Sequence, residues 1–363
     1  MKILYFAPID WDFIYQRPQH LAERLSLKND FIYIQPFGLR NLTFLDIRRV
    51  FHRFRKLFKR QKGKDHLYIK DLFFIPIIDS AMIKLNSFLL RCQIAPLVDP
   101  KTIIWVTYPS PLIPGIQDGI KYGALVYEII DDYPNIHHSM ETWLVNKANL
   151  VITTSEALAE KAKKINRGVR VKVIRNGVDY DFFNNVSKIQ HREFKDLEKI
   201  IGYMGMINEF IDFELLNYLA DNRPDLNFVF VGPIKTKRLP LKKNIRFTGV
   251  IDYRKVPTYC NEFDVCLIPF QRGEFADAIN PVKLYEYLAL GKPVVSYYMR
   301  ELTRYEDLIY LAKDKEDFLN KVDRALNERD NGIRELRKDI ARKNDWTMIS
   351  EMVGEELLRL VSP

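Results

Sequence analysis

The stretch 280–286, with the sequence NPVKLYE, carries the clearest chemical pattern in the chain. Asn280 is a good helix N-cap and Pro281 suits the first helical position, so the sequence predicts a helix that begins here. The backbone amides of Val282 and Lys283 would then point out of the helix start. Both the helix dipole and the lysine charge favour a phosphate group at that position.

Glu286 follows Lys283 by three residues and therefore lies on a neighbouring face of the same helix. Its carboxylate can accept two hydrogen bonds from a ribose diol, which points to a nucleotide ligand. A capped surface helix with a lysine–glutamate pair is the alternative that this stretch alone leaves open.

Glycines close one predicted strand, where the sequence is GYMG at 202–205. Because glycine has no side chain, a ligand can approach the backbone closely at Gly205. A tight strand-to-helix turn without a ligand explains the same glycines. Neither a GxGxxG nor a GxxxxGK[ST] motif occurs, which disfavours a dinucleotide oxidoreductase and a P-loop enzyme.

Acidic residues close another predicted strand, where the sequence is EIIDD at 128–132. A carboxylate at the carboxyl end of a strand is well placed to abstract a proton or to orient a substrate. Asp131 and Asp132 are adjacent, so their side chains point in different directions and do not form a shared acid–base pair. Helix capping or an ion pair with a basic neighbour is the alternative.

The loop 11–20 follows the first predicted strand and opens a helix, and it combines aromatic and charged side chains. Arg17 can hold an anionic group, whereas Trp11 or Tyr15 can stack on a sugar or a ring. A partly buried aromatic loop is the structural alternative.

The net charge of +9 comes from one segment, because residues 47–64 contain nine basic side chains and no acidic one. Apolar residues recur among them at helical spacing, which predicts an amphipathic helix. Such a helix can lie in an anionic membrane surface, gaining about 1 kcal/mol per basic residue near it. A core-facing helix with a solvated charged side is the alternative, and no nucleic-acid partner is expected. The residues assigned to the membrane are Arg48, Arg49, Arg53, Arg55, Lys56, Lys59 and Arg60.

The length of 363 residues suggests two domains, at about 150 residues for each. Apolar strands alternate with helices, a pattern typical of parallel sheets covered on both faces. The polar stretch 184–199 is a candidate linker. No apolar run approaches the ~18 residues of a membrane-spanning helix, and no secretory signal is evident. Three cysteines without metal-ligand spacing predict neither disulfides nor a zinc site.

Taken together, these motifs resemble those of bacterial glycosyltransferases of the GT-B fold, in the group 1 (family 4-like) class that uses nucleotide-sugar donors. The matching segments occur in the family's order and cover nearly the whole chain. They are WDFIYQRPQHLAERL (11–25), VYEIIDDY (126–133), VITTSEAL (151–158), VIRNGVD (173–179), GYMGMI (202–207), FVGPI (230–234), FTGVIDYRKVPTYCNEFDVCLIPF (247–270) and NPVKLYEYLALGKPVVS (280–296).

The resemblance implies an α/β fold with two Rossmann-like, doubly wound parallel-sheet domains that face each other across a cleft. Residues 1–183 would bind the acceptor, and residues 184–345 would bind the nucleotide sugar. Residues 346–363 would form a C-terminal helix that crosses back to the first domain.

The resemblance also implies roles for single residues. Glu286 matches the family glutamate that contacts the ribose, while Val282 and Lys283 lie where backbone amides meet the diphosphate. The implied donor-binding set is Gly205, Asn280, Val282, Lys283, Tyr285 and Glu286. The implied acceptor-binding set is Trp11, Arg17 and His20, with Asp132 as the catalytic residue.

Three departures from the family pattern stand out. Many relatives carry a further glutamate at the position of Ala278, so that donor-sugar contact would be missing, or Asn280 or Asp277 would supply it. The usual arginine–lysine pair near the donor phosphates is not evident, and Lys283 would compensate for the phosphate charge. The strand end near Asp132 lacks the family's common His-Asp sequence. Asp132 would be the general base of an inverting enzyme, or would orient the acceptor or the sugar in a retaining one.

We therefore expect transfer of a sugar from a nucleotide diphosphate sugar to a glycan or lipid-linked acceptor in bacterial cell-surface polysaccharide synthesis. Uridine diphosphate is the commonest carrier in the family, and guanosine diphosphate is next. No metal or other cofactor is expected, and the protein would be cytoplasmic and peripheral on the inner face of the cell membrane. Two alternatives stay open: an epimerase or hydrolase of the same fold that acts on the nucleotide sugar alone, and a non-catalytic scaffold docked on a membrane.

Overall fold

The computed structural model of the chain describes residues 1–36, 61–62, 66–75, 80–132, 137–186 and 191–362. Within these residues the chain divides into two compact units. The first unit contains Met1–Arg175 and Ile349–Pro363, and the second contains Asn176–Met348. Each unit is built around one mainly parallel sheet.

The sheet of the first unit has eight strands in the order β3-β4-β2-β1-β5-β6-β7-β8. All neighbours are parallel except β3, which runs antiparallel to β4. Strands β5, β6 and β7 are buried along their whole length, which explains their continuous apolar sequences. The strands are β1 (Lys2–Phe6), β2 (Asp30–Ile34), β3 (Gln61–Lys62), β4 (Leu67–Lys70), β5 (Ile103–Val106), β6 (Ala124–Ile129), β7 (Leu150–Thr153) and β8 (Val171–Val173).

Helices connect these strands and begin at recognisable capping residues. Pro18 lies in the first turn of the first helix, where no backbone N–H is needed. The hydroxyl of Ser155 accepts a hydrogen bond from the N–H of Leu158 and so caps the fifth helix. The described helices of this part of the chain are α1 (Arg17–Ser26), α2 (Ser80–Ile94), α3 (Ile113–Gln117), α4 (His138–Lys147) and α5 (Glu156–Ile165).

The sheet of the second unit has six parallel strands in the order β11-β10-β9-β12-β13-β14. Strand β9 lies in the middle, between β10 and β12, and is buried throughout. Ligands of such sheets bind at the carboxyl ends of the central strands. The strands are β9 (Ile200–Met204), β10 (Asn227–Val231), β11 (Ile245–Gly249), β12 (Val265–Ile268), β13 (Val294–Tyr297) and β14 (Tyr310–Ala312).

Apolar side chains form one core cluster on each face of this second sheet. Asp212 and Asp314 cap the helices that follow them, since each carboxylate accepts a hydrogen bond from a first-turn N–H. The helices are α6 (Tyr180–Asn184), α7 (Phe213–Asn222), α8 (Val256–Asn261), α9 (Glu274–Ala278), α10 (Val282–Ala289), α11 (Lys315–Leu326) and α12 (Ile333–Lys343).

The last helix, α13 (Trp346–Val361), begins in the second unit, and its residues from Ile349 onwards belong to the first. Glu356 lies in that later part and is buried. Its carboxylate contacts Arg170 at 2.7 Å and Lys172 at 3.3 Å, both within the first unit.

The boundary after Arg175 lies earlier than the predicted one at residue 183. The reason is that Val178 forms a parallel bridge with Asp345 of the second unit. Tyr180 and Phe183 then bury their rings in the core cluster of that unit. The segment 176–183 therefore packs with the residues that follow it.

The prediction of two doubly wound parallel sheets is confirmed. The strands β3, β4 and β14 were not predicted. The basic residues at 48–60 assigned to the membrane lie outside the described residues. Within the described part of the chain, no helix is long and apolar enough to cross a membrane.

Candidate functional site

Strand β9 ends in a loop that only glycine can form. Gly205 has a φ of +145°, which side-chain-bearing residues rarely adopt. Its N–H donates to the carbonyl of Val231 at 2.8 Å, which fixes the loop on the neighbouring strand. The side chain of Lys283 occupies the space where a β-carbon on Gly205 would lie, with Nζ only 2.6 Å from that position. The predicted glycine and lysine are thus in direct contact.

Lys283 and Glu286 form the polar surface of the first turns of α10. Lys283 Nζ lies 5.7 Å from the ring centre of Tyr203, on β9. Glu286 is partly exposed, and within the described ranges its carboxylate has no hydrogen-bond donor of its own. Burial among protein atoms raises the pKa of Glu286, and the nearby Lys283 charge lowers it. The pair offers a cation for a phosphate and an acceptor for hydroxyl groups.

Tyr287 holds this helix against the sheet, a role that sequence reasoning missed. Its buried hydroxyl accepts a hydrogen bond from the N–H of Met204 at 2.8 Å. This bond fixes α10 to the end of β9. The available signal was the spacing of Tyr287 from Leu284 and Leu288, because these three residues form one apolar face of the helix.

The prediction that Asn280 caps α10 is wrong, because Pro281 occupies the N-cap position and the Asn280 side chain turns inward. Asn280 is 2% exposed, and its Nδ2 donates to the hydroxyl of Tyr285 at 3.1 Å. Tyr285 is fully buried, and its hydroxyl lies 3.3 Å from that of Tyr305. The side chains predicted to contact the donor at 280 and 285 instead support the helix from inside.

Asp132 follows strand β6 in the first unit and is paired with a lysine. Its Oδ1 accepts a hydrogen bond from Lys161 Nζ at 2.7 Å, and the same nitrogen donates to Glu141 at 2.9 Å. Burial opposes the lysine charge, but the two carboxylates outweigh burial and raise the pKa of Lys161. The ion pair with a basic neighbour, left open by the sequence, is thus present.

Arg17 does not present its guanidinium to solvent, contrary to its predicted role as an anion ligand. The side chain is 2% exposed, and Nε donates to Glu128 Oε1 at 2.8 Å. Its Nη1 donates to the backbone carbonyl of Arg175 at 2.9 Å. Burial raises the pKa of Glu128, whereas the Arg17 charge lowers it. The pair is a buried structural element of the first unit.

The other two acceptor candidates, Trp11 and His20, are the two ends of the predicted loop 11–20. Trp11 is partly exposed, and its ring packs edge-on against that of Tyr33, with 5.1 Å between the ring centres. His20 is buried and contacts Arg24 Nη1 through Nδ1 at 3.1 Å. Burial, and then the Arg24 charge, lower the pKa of His20 well below its usual range, so the ring is neutral near pH 7. Of the two, Trp11 has the more accessible surface.

The second unit matches a known protein family. Residues 198–328 match the family model described as "Glycosyl transferases group 1". A curated relative, "Putative teichuronic acid biosynthesis glycosyltransferase TuaH" of Bacillus subtilis (strain 168), is 25% identical over 306 residues. That match covers 72% of this chain and 76% of the relative.

Solved structures match the whole chain in fold. Sucrose-phosphate synthase from Thermosynechococcus elongatus has a TM-score of 0.74 at 14% identity, over 99% of both chains. An E. coli trehalose-6-phosphate structure bound with UDP-2-fluoro glucose has a TM-score of 0.71 at 12% identity, over 98% of this chain and 99% of that one. Anabaena HepE in complex with UDP and glucose has a TM-score of 0.68 at 16% identity, over 98% and 99%. Residues 198–328 thus match a group 1 glycosyltransferase domain, and the whole chain has the GT-B fold of these solved structures.

Proposed function

We propose that this enzyme transfers a sugar from a nucleoside diphosphate sugar, with a uridine diphosphate sugar as the first candidate, to a glycan or lipid-linked acceptor of a cell-surface polysaccharide. The contact of Lys283 with Gly205 at the end of β9, with Glu286 on the same helix, carries this proposal. The UDP complexes named for two structural relatives and the teichuronic acid role named for TuaH support it.

In this proposal the diphosphate lies against Gly205 and the first amides of α10, and Glu286 accepts hydrogen bonds from the ribose. Negative charge builds up on the diphosphate as the glycosidic bond breaks. The fixed charge of Lys283 and the helix start stabilise that charge without reorganisation of the site. No divalent cation is required for this step.

Asp132 is proposed to act on the acceptor. Its carboxylate is held by Lys161 at 2.7 Å and can accept a proton from an acceptor hydroxyl or orient that hydroxyl. Trp11, whose ring is partly exposed, offers a stacking surface for a sugar. Arg17 and His20 act indirectly in this proposal, through the packing of α1.

The membrane is proposed as the place where the acceptor is met. The cationic sequence at 47–64 is the main support. Helix α2 of the first unit adds an apolar surface, because Leu85 and Phe88 are exposed and Arg91 lies over the Phe88 ring at 5.7 Å. The full chain should co-sediment with vesicles of anionic lipid and less with neutral ones. A chain with serine at the seven assigned basic positions should stay in solution, and undiminished binding would contradict the membrane role.

A thermal-shift panel of UDP, GDP, ADP, CDP and dTDP, with and without Mg²⁺, tests the donor site. A ligand at 100 times its Kd stabilises the folded state by about 2.7 kcal/mol, so one diphosphate should raise the Tm clearly and without Mg²⁺. Lys283→Gln should abolish that shift. Lys315→Gln is a matched control, because Lys315 also lies over a tyrosine ring, that of Tyr218 at 5.0 Å. No shift with any diphosphate would contradict the proposed donor class.

Product analysis without an acceptor separates the transferase from a nucleotide-sugar epimerase or hydrolase. The transferase should leave the nucleotide sugar largely intact, because the sugar has no acceptor to reach. Rapid epimerisation or hydrolysis of the donor alone would favour the other enzyme class.

A further inference from the structure

The sequence NGVD at 176–179 is not used by the donor or acceptor sites described above, although it contributes to the family resemblance. Asn176 is the first residue of the second unit. Its backbone N–H donates to Asn280 Oδ1 at 2.8 Å, and its Nδ2 donates to the Asn280 carbonyl at 2.6 Å. Both residues are buried, so these two bonds form in a low-dielectric environment, where they are stronger than at the surface.

Asn280 transmits this contact to the start of α10. It directly precedes Pro281, the N-cap of the helix, and its Nδ2 also donates to Tyr285 within the helix. The carbonyl and the Oδ1 of Asn280 thus bind Asn176, while its Nδ2 binds Tyr285 in the helix. Lys283 and Glu286 are both carried by that part of the helix.

The segment around Asn176 is itself firmly held. The carbonyl of Arg175 accepts a hydrogen bond from Arg17 in the first unit at 2.9 Å. In the second unit, the N–H of Val178 donates to the carbonyl of Asn344 at 3.0 Å, and the N–H of Trp346 donates to the carbonyl of Val178 at 2.9 Å. We call residues 175–178 the crossing segment, because the chain passes here from the first unit to the second. The crossing segment thus gives Asn280 a fixed partner.

We propose that Asn176 and Asn280 are positioning residues for the nucleotide-sugar donor. Their paired hydrogen bonds fix the start of α10, so that Lys283 and the first amides of the helix point at the diphosphate. Neither side chain touches the donor. This inference rests on the proposed donor site, and it assigns to the crossing segment a direct influence on donor affinity.

Asn176→Ala, which removes the bond to the Asn280 carbonyl, tests the proposal. The Kd for the diphosphate found by the thermal-shift panel should rise roughly tenfold, as expected when one buried hydrogen bond is lost. The donor KM should rise by a similar factor, with a smaller change in kcat. Hydrogen exchange of the peptide 281–290 in the free protein should become faster. Asn280→Ala removes the acceptor of the Asn176 N–H and the donor to the Tyr285 hydroxyl, and it should show the same changes.

Asn86→Ala is the control, because Asn86 is likewise held to one partner by two hydrogen bonds, both of which its side chain makes. It is fully buried in the first unit, its Oδ1 accepts from the N–H of Ile75 at 2.7 Å, and its Nδ2 donates to the Ile75 carbonyl at 2.6 Å. Its loss should lower the Tm as Asn176→Ala does. The diphosphate Kd and the exchange of 281–290 should stay at the wild-type values, measured well below every melting temperature.

The possible outcomes separate the inference from the function on which it rests. Unchanged exchange of 281–290 in Asn176→Ala, or unchanged Kd while the wild type binds, overturns the positioning role alone. An equal loss of affinity in Asn86→Ala overturns it as well, since general destabilisation would then explain the effect. A wild-type protein that binds no diphosphate overturns the proposed donor site and this inference together.

Discussion

Lys283 fills the space that a side chain at Gly205 would need, so the loop that follows β9 and the first turn of α10 are in van der Waals contact. Two segments almost 80 residues apart in the sequence, at 205 and 283, meet at one sheet edge. In parallel sheets the carboxyl ends of the strands and the starts of the helices that lead back share that edge. A cation is thereby placed beside a loop that exposes its backbone.

Gly205→Ala should displace Lys283 and weaken diphosphate binding. The new methyl group would overlap the lysine side chain, and alanine would be strained at a φ of +145°. We expect the Kd for the diphosphate to rise at least about tenfold, since part of a charge-assisted contact is lost. Isothermal titration of the purified protein measures it.

Gly332→Ala separates the loss of the contact from backbone strain. Gly332 also has a positive φ, of +86°, but nothing lies within 4 Å of its β-carbon position. This variant should lose some stability and keep the wild-type Kd. If both variants bind the diphosphate equally well, the contact of Lys283 with Gly205 has no part in donor binding.

Glu286→Gln should weaken diphosphate binding and stabilise the empty protein. Hydrogen bonds to a charged group contribute about 1.5–3 kcal/mol, so the Kd should rise by roughly 10- to 150-fold near pH 7. Because burial raises the pKa of Glu286, the ionised carboxylate opposes folding above that pKa. The Tm of the empty variant should therefore exceed that of the wild type at neutral pH.

The pH dependence provides a second test of Glu286. A raised pKa in the folded state means that the folded protein takes up a proton at a higher pH than the unfolded chain does. The wild type is therefore stabilised, relative to Glu286→Gln, as the pH falls through the folded pKa towards about 4.5. The Tm difference should shrink over that range, and wild-type affinity for the diphosphate should fall. Exposed Glu316, changed to glutamine, should leave both measurements unaltered.

Much of the fold could be predicted because its signals are local. Buried strands such as β5 and β9 are short apolar runs, and the capping residues Ser155 and Asp212 stand directly before their helices. Gly205 and Lys283 were each singled out from local patterns as phosphate-binding candidates, although their contact was not predicted. These features need no knowledge of distant partners.

The residues that sequence reasoning misplaced are those whose partners lie far along the chain. Arg17 lies in a segment whose composition is typical of a ligand-binding site. Its partner Glu128, however, lies 111 residues later, and the pair is buried in the core. Asn280 has the features of an N-cap, but Asn176 binds it from 104 residues earlier. A local motif does not reveal such a partner, because the distant residue replaces the local hydrogen bond only once the chain has folded.

Asp132→Asn should abolish transfer while leaving the donor site intact. If Asp132 is the general base, the amide cannot take a proton from an acceptor hydroxyl, and such a loss costs about 10²–10⁴-fold in rate. The diphosphate Kd should not change, because Asp132 belongs to the first unit and the donor residues to the second. Asp99→Asn is the control, since Asp99 forms a comparable pair with Lys2 at 2.8 Å. Transfer at the wild-type rate in Asp132→Asn would remove this residue from the chemistry.

Replacing one partner of the Arg17–Glu128 pair should destabilise the first unit far more than replacing both partners. Glu128→Leu leaves a buried guanidinium without its carboxylate, and an uncompensated buried charge costs about 3–5 kcal/mol. Arg17→Met leaves the Glu128 carboxylate buried without its guanidinium and should cost a similar amount. The double variant buries neither charge and should regain most of the loss, because apolar replacements of a buried pair are often neutral. Urea unfolding of the full chain measures all three, and equal losses in the single and double variants would show that the pair itself stabilises the unit.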